Sequence, residues 1–259
     1  MLCFDTETTG LNPEQGDEII QLTFIDSDDM SNVYNEFFAP LNSTEFPEAS
    51  AVTGLYYDQP VPSYPDGPLL CEYPPIGDPQ AADIINEWLD SSYELMGYHV
   101  AFDVKMLASA GFDMQDHVYF DPMYAFAIYY WSTHPDEIYT TRSGKTRSPW
   151  LDWKRQYVNR NLTFAANHFG ITFGAHDSSE DVRATILLYE ALRDKEAELF
   201  TPGNFAFDPV TGDVVLDEYG QECFADENGN PLLYPDGYRV DCLFPPDGYT
   251  YDELMKMDS

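Results

Sequence analysis

The first ten residues, MLCFDTETTG, constrain this chain more than any other stretch. Leu2, Cys3 and Phe4 form an apolar run that leads directly into Asp5, Thr6 and Glu7. That order predicts a buried strand whose last residues carry a site. Side chains in a strand alternate faces, so Asp5 and Glu7 point the same way. Two carboxylates on one face repel each other, and a hard divalent cation with oxygen ligands offsets the repulsion. Gly10 then permits a tight turn. A D-x-E motif alone describes a strand ending in a solvated acidic turn equally well, because 46 residues of this chain are acidic.

Two further stretches change that balance. In GYHVAFDVKML, Asp103 follows the apolar Val100, Ala101 and Phe102. In HDSSEDVRAT, His176 and Asp181 stand five positions apart. Taken singly, Asp103 reads as a helix N-cap, Asp181 as a first-turn helix acid and His176 as an exposed loop residue. Together, the order D-x-E, F-D, H-x-x-x-x-D resembles the DEDDh group of 3′–5′ exonucleases, in the ribonuclease-H-like superfamily. Asp5, Glu7, Asp103, His176 and Asp181 fall on the five motif positions of that group. Thr8, Thr9 and Gly10 after the first motif agree with it, as do VTGL at 52–55 and LTFAANHFGI before His176. The resemblance covers about residues 1–200.

The resemblance implies an α/β fold of the ribonuclease-H-like kind, with a mixed five-stranded sheet flanked by helices. It implies metal-dependent hydrolysis of phosphodiester bonds from nucleic-acid 3′ ends, with DNA as the first expectation. An RNA-trimming exonuclease and an acidic accessory protein on the same fold are the rival readings. Asp5, Glu7, Asp103 and Asp181 are then the ligands of two Mg²⁺ ions, for which Mn²⁺ substitutes. His176, with an unperturbed pKa near ~6.5, is the expected general base. Thr8 and His99 are expected to touch nucleic acid. The family often has Asn where this chain has His99, which puts substrate contacts rather than metal binding in question. The expected partners are a nucleic acid with a single-stranded 3′ end and a polymerase or replication protein.

Charge opposes a nucleic-acid ligand at first sight. The chain has 12 basic residues and a net charge of −34, which repels phosphate at long range. The cations are concentrated, however. Arg142, Lys145, Arg147, Lys154, Arg155 and Arg160 put half of them between residues 142 and 160, and the first five are expected to meet substrate phosphates. Trp150, Trp153 and Tyr157 recur at helical spacing in the same stretch and predict a helix over 150–157. Cys3, Cys71, Cys223 and Cys242 lack metal-type spacing, which points to reduced thiols and a cytoplasmic protein. Neither a run of membrane-spanning length nor a secretory leader is expected.

Along the chain, strands are expected at 18–26, 33–38 and 94–100, and helices at 48–52, 80–89, 103–110, 122–130 and 162–169. A final long helix should run from a cap at Ser178 or Ser179 to about Phe200. From Thr201 the turn signals PVTGD, DEYGQ, DENGNP, YPDGY and PPDGY recur. They predict an acidic, hairpin-rich extension over 201–259, separate from an exonuclease domain over 1–200 and dispensable for hydrolysis.

Overall fold

The computed structural model describes residues 1–141, 143–174 and 177–258, so Arg142 and His176 lie outside the described residues. Strands β1 (Leu2–Thr8), β2 (Ile19–Asp26) and β3 (Asp29–Phe37) form an antiparallel meander. After helix α1 (Pro47–Thr53) and a proline-rich loop comes helix α2 (Pro79–Asp90). Asp78 caps α2 by accepting hydrogen bonds from Gln80 N and Ala81 N. Strand β4 (Glu94–Met96) then pairs in parallel with β1. Helix α3 (Val100–Ser109) leads to β5 (Val118–Phe120), which is parallel to β4.

The pleat of β1 and β2 divides apolar from polar chemistry. Phe4 lies opposite Phe24, and Asp5 opposite Thr23. Phe4 packs on Phe24, with ring centres 5.9 Å apart, and Phe24 stacks on Trp88 of α2 at 6.1 Å. One face of the sheet is therefore an aromatic core. The other face presents Cys3, Asp5 and Glu7.

A second compact unit comprises Pro122–Phe169 and Leu188–Pro246. It opens with helix α4 (Pro122–Thr133). Two short hairpins follow, β6 (Tyr139–Thr140) with β7 (Thr146–Arg147), and β8 (Trp150–Leu151) with β9 (Gln156–Tyr157). The helix expected over 150–157 is thus a hairpin. Trp150 and Tyr157 face each other across it, with ring centres 5.0 Å apart, and Trp153 at its turn is 75% exposed. Helix α5 (Leu162–His168) comes next, and α6 (Ser178–Leu199) carries the chain from the first unit into the second.

Residues 201–246 form a run of short turns held by bridges such as Phe207 to Val214 and Leu216 to Glu222. Asp208, Asp217 and Asp226 recur every nine residues, and each uses its Oδ1 to accept two backbone N–H bonds of its own turn. Ala206, Cys223, Leu232 and Val240 are buried inside the run. A hairpin-rich extension is what the sequence predicts here, but the nine-residue repeat escapes a reading of single turns.

The last residues return to the first unit, which comprises Met1–Asp121, Gly170–Leu187 and Asp247–Ser259. Strand β10 (Tyr249–Thr250) pairs antiparallel with β5, and helix α7 (Tyr251–Met257) follows under a Thr250/Glu253 capping box. The sheet order is β10-β5-β4-β1-β2-β3, a mixed sheet with one strand more than the five expected. A boundary at residue 200 separates β10 from the strand it pairs with, so the stretch beyond 200 is not uniformly an appendage. Among the described residues, no helix is long and apolar enough to cross a membrane.

Leu254 of α7 is fully buried. Leu254→Ala should therefore destabilise the protein by about 2–5 kcal/mol and lower its melting temperature by roughly 5–15 °C. Thermal melting followed by circular dichroism checks this. An unchanged melting temperature would mean that α7 does not belong to the folded sheet unit.

Candidate metal centre

Three elements of the first unit bring carboxylates together. Asp5 and Glu7 come from the same face of β1, as their spacing predicts, and a bulge between Glu7 and Thr8 ends the regular pairing with β2. Asp181 comes from the first turn of α6, where the helix dipole favours an anion. Ligand oxygens of Asp5, Glu7 and Asp181 lie within 4.8 Å of one another, and all three residues are half-buried. The α6 end is fixed against the sheet by two contacts. The Thr23 and Ser178 hydroxyls hydrogen-bond at 2.5 Å, and the Cys3 thiol reaches Val182 O at 3.8 Å. Thr23 is the partner of Asp5 across β1 and β2, so this contact sets Asp181 beside the β1 pair.

Asp103 approaches from the edge of β1. On its β1 side, strand β4 pairs only with Leu2 and Cys3, and the chain then turns away at Gly97. A Cβ at Gly97 would lie 2.9 Å from Phe4 O, so only glycine lets the backbone pass this close. Beyond that point the β1 edge is open, and Asp103 fills it. Its Oδ1 accepts from Thr6 N at 2.9 Å and from Thr6 Oγ1 at 2.6 Å. Asp103 is thus a buried residue inside the first turn of α3 and not its N-cap, because His99 precedes that helix and Asp121 accepts the His99 and Val100 N–H groups at 3.1 Å. The strand expected to run to Val100 ends at Met96.

Burial and mutual repulsion raise the pKa values of the group. Asp5 is held well above the ordinary carboxylate range, first by burial and then by the charges of Asp103, Glu7, Asp181 and Asp177. Burial pushes Glu7 up to about 8, with Asp181 and Asp103 adding to the shift. Asp103 is pushed up to about 7 by burial, although the Thr6 hydrogen bonds and the nearby His99 oppose this. Among the described residues neither Asp5 nor Glu7 pairs with a Lys or Arg. A clustered set of hard oxygen donors suits divalent ions such as Mg²⁺ or Mn²⁺.

Asp177 is an acidic neighbour that the motif pattern does not include. Its Oδ1 accepts from Ser179 N at 3.0 Å, so Asp177 caps α6 in place of the expected Ser178 or Ser179. The signal was present, since Asp leads the N-cap preferences as strongly as Ser does. The other expected contacts are dispersed. Thr8 is buried and donates its hydroxyl to Gly10 O at 2.7 Å. His99 uses its Nε2 on Asp258 at 2.7 Å. Lys145 and Arg147 are exposed at the β6–β7 hairpin of the second unit. Lys154 sits 4.8 Å above the Trp153 ring. Arg155 is engaged within the second unit, bonded to Asp236 at 2.8 Å and stacked over Tyr238 at 4.6 Å. The general base expected at His176 lies outside the described residues.

No protein-family model matches the chain. No curated protein matches it in sequence. Among solved structures it is similar to a moderately thermophilic Exonuclease I from Methylocaldum szegediense, with 20% identity and a TM-score of 0.50, over 79% of this chain and 43% of that one. It is also similar to Exonuclease X in complex with 5′-overhanging duplex DNA (14% identity, TM-score 0.42, 76% of this chain and 92% of that one). A full-length 3′-exonuclease is a further match (12% identity, TM-score 0.48, 75% and 60%). This chain spans less than half the length of the Exonuclease I chain. The likeness to Exonuclease I shows a shared α/β fold, in keeping with the ribonuclease-H-like fold that the sequence motifs imply.

The raised carboxylates make metal-free stability depend on pH with a definite sign. Folded Glu7 and Asp103 keep protons that the unfolded chain loses near pH ~4. Their contribution is fully present below that pH and is lost as pH rises through about 7 for Asp103 and about 8 for Glu7. In EDTA the melting temperature should fall between pH 6 and 8.5. Glu7→Gln should flatten that fall, and saturating Mg²⁺ or Mn²⁺ should stabilise the wild type most at the alkaline end. Differential scanning calorimetry tests this, and a wild-type profile that is flat in EDTA and insensitive to metal would contradict it.

Proposed function

We propose that this chain is a metal-dependent 3′–5′ exonuclease that hydrolyses phosphodiester bonds at nucleic-acid 3′ ends, with single-stranded DNA as its substrate. The observation that carries the reading is the convergence of Asp5, Glu7 and Asp181, with Asp103 alongside, on the fold shared with Exonuclease I. For this chain, polarity and substrate rest on the D-x-E, F-D and H-x-x-x-x-D motifs. The same centre would serve an RNA-trimming enzyme. Work beside a polymerase or replication protein in the cytoplasm, and an exonuclease domain over 1–200 whose sheet takes its last strand from the acidic extension over 201–259, complete the proposal.

Asp5, Glu7, Asp103 and Asp181 would hold two Mg²⁺ ions, with Mn²⁺ as a substitute. Bound there, the ions would supply charge stabilisation at the phosphoryl oxygens and at the attacking and leaving oxygens. Thr6 orients Asp103 through its backbone N–H and its hydroxyl, which leaves Oδ2 for a ligand role. Carboxylates with pKa values near neutrality must release protons before they bind cations, so assembly of the centre is favoured as pH rises. His176 accepts the proton of the attacking water in this scheme, a role taken from its motif position.

The four carboxylates should behave as a unit. Asp5→Ala should abolish most digestion of a 3′-labelled strand, and adding Asp181→Ala should lower the rate little further. His176→Ala should slow single turnover by ~10²–10⁴-fold and flatten the acid limb of the pH–rate profile while leaving metal affinity near wild type. Wild-type digestion by Asp5→Ala would end the exonuclease reading. Full activity with an unchanged profile in His176→Ala would remove the assigned base alone.

The exposed cations of the second unit are proposed to contact substrate phosphate. Lys145→Ser with Arg147→Ser should raise KM on oligonucleotides several-fold and reduce the salt dependence of binding by up to about two counterions, with the melting temperature unchanged. An unchanged KM and salt slope would identify the β6–β7 hairpin as a solvated surface.

A further inference from the structure

Lys105 is the only Lys or Arg in residues 1–141. It lies on α3, two positions after Asp103, yet its ammonium pairs with Asp258, just after α7. Asp258 divides its carboxylate between two donors. One oxygen meets Lys105 Nζ and the other lies 2.7 Å from His99 Nε2. His99 itself is fixed unusually. Its φ of 65° is left-handed, an uncommon conformation for a non-glycine residue, and its N–H is bound to Asp121. It immediately precedes α3 and stands four positions before Asp103.

We propose that His99 and Lys105 form a subsite for a backbone phosphate of the substrate, and that the Asp258 carboxylate fills this subsite until nucleic acid displaces it. The inference rests on the exonuclease reading and adds a substrate contact and a built-in competitor to it. Two converging nitrogen donors, one of them an ammonium and one to each oxygen, suit a phosphodiester as well as a carboxylate. The Asp258 contact is not the only one that docks α7. Leu254 is buried and β10 is hydrogen-bonded to β5 without it. The three side chains remain 43%, 39% and 21% exposed, in the order His99, Lys105 and Asp258. Partly exposed ion pairs contribute little to stability, so the carboxylate can leave at small cost.

The test is binding of a short 3′-ended DNA oligonucleotide in EDTA, followed by fluorescence anisotropy, so that no hydrolysis is involved. Asp258→Asn should tighten binding about threefold to tenfold, and Lys105→Ala should weaken it by a similar factor. Asp258→Asn added to Lys105→Ala should give a smaller gain than in wild type, from His99 alone. In parallel, inorganic phosphate is titrated while the His99 imidazole resonances are observed. Phosphate should perturb them at lower concentration in Asp258→Asn than in wild type, and the oligonucleotide should displace the phosphate. Unchanged or weaker oligonucleotide binding by Asp258→Asn would overturn the proposal, as would a full gain from Asp258→Asn in the Lys105→Ala background. A response to phosphate that the oligonucleotide does not displace would overturn the nucleic-acid assignment and leave a site for free phosphate. Failure of the exonuclease reading shows separately, as wild-type protein that digests no strand with Mg²⁺. The phosphate titration still decides the subsite in that case.

Discussion

Repulsion between carboxylates at the end of β1 is the constraint to which the rest of the first unit answers. At an effective dielectric near 20, two unit charges less than 5 Å apart repel by roughly 3 kcal/mol. Asp5, Glu7 and Asp181 have oxygens within 4.8 Å of one another, and the charges of Asp103 and Asp177 bear on the same set. No fold gathers such a group without cost. The metal-free protein meets part of that cost by protonation, as the upward shifts of Asp5, Glu7 and Asp103 show. A bound cation would meet it more completely. The acidic cluster is therefore better explained as a ligand set than as a by-product of overall acidity, since the remaining acids are mostly exposed.

The supports of the cluster are apolar beneath and hydrogen-bonded beside. Phe4, Phe24 and Trp88 fill the opposite face of the sheet and fix the pleat that aims Asp5 and Glu7 together. Thr6, one residue from each of them, spends its N–H and hydroxyl on Asp103. Thr23 and Ser178 tie the start of α6 to the strand beside β1, and Arg183 reaches Met30 O at 3.1 Å in the β2–β3 hairpin. Each link joins segments distant in sequence. The short linear motifs are thus held in register by residues that are not themselves motif residues.

What the sequence made legible was local. The apolar entry into Asp5-x-Glu7, the period-two alternation and the long helix bearing Asp181 can all be read from neighbours in the chain. Long-range pairing could not be read. Tyr249–Thr250 is too short to declare itself a strand and becomes one only against β5. Trp150, Trp153 and Tyr157 mimic helical spacing, but two of them pack across a hairpin and the third is left in its turn. Asp177 carried a readable capping signal that the adjacent serines obscured. The link from Asp258 to His99 joins residues 159 positions apart, and nothing in either local sequence announces it.

The measurement that bears most directly on the account is the stoichiometry of Mn²⁺ binding, counted by electron paramagnetic resonance at pH 8 in wild type and Glu7→Gln. The account predicts about two ions bound per chain in the wild type and a loss of at least one in Glu7→Gln, with the variant folded. Wild-type protein that binds no Mn²⁺ beyond what Glu7→Gln binds would contradict it.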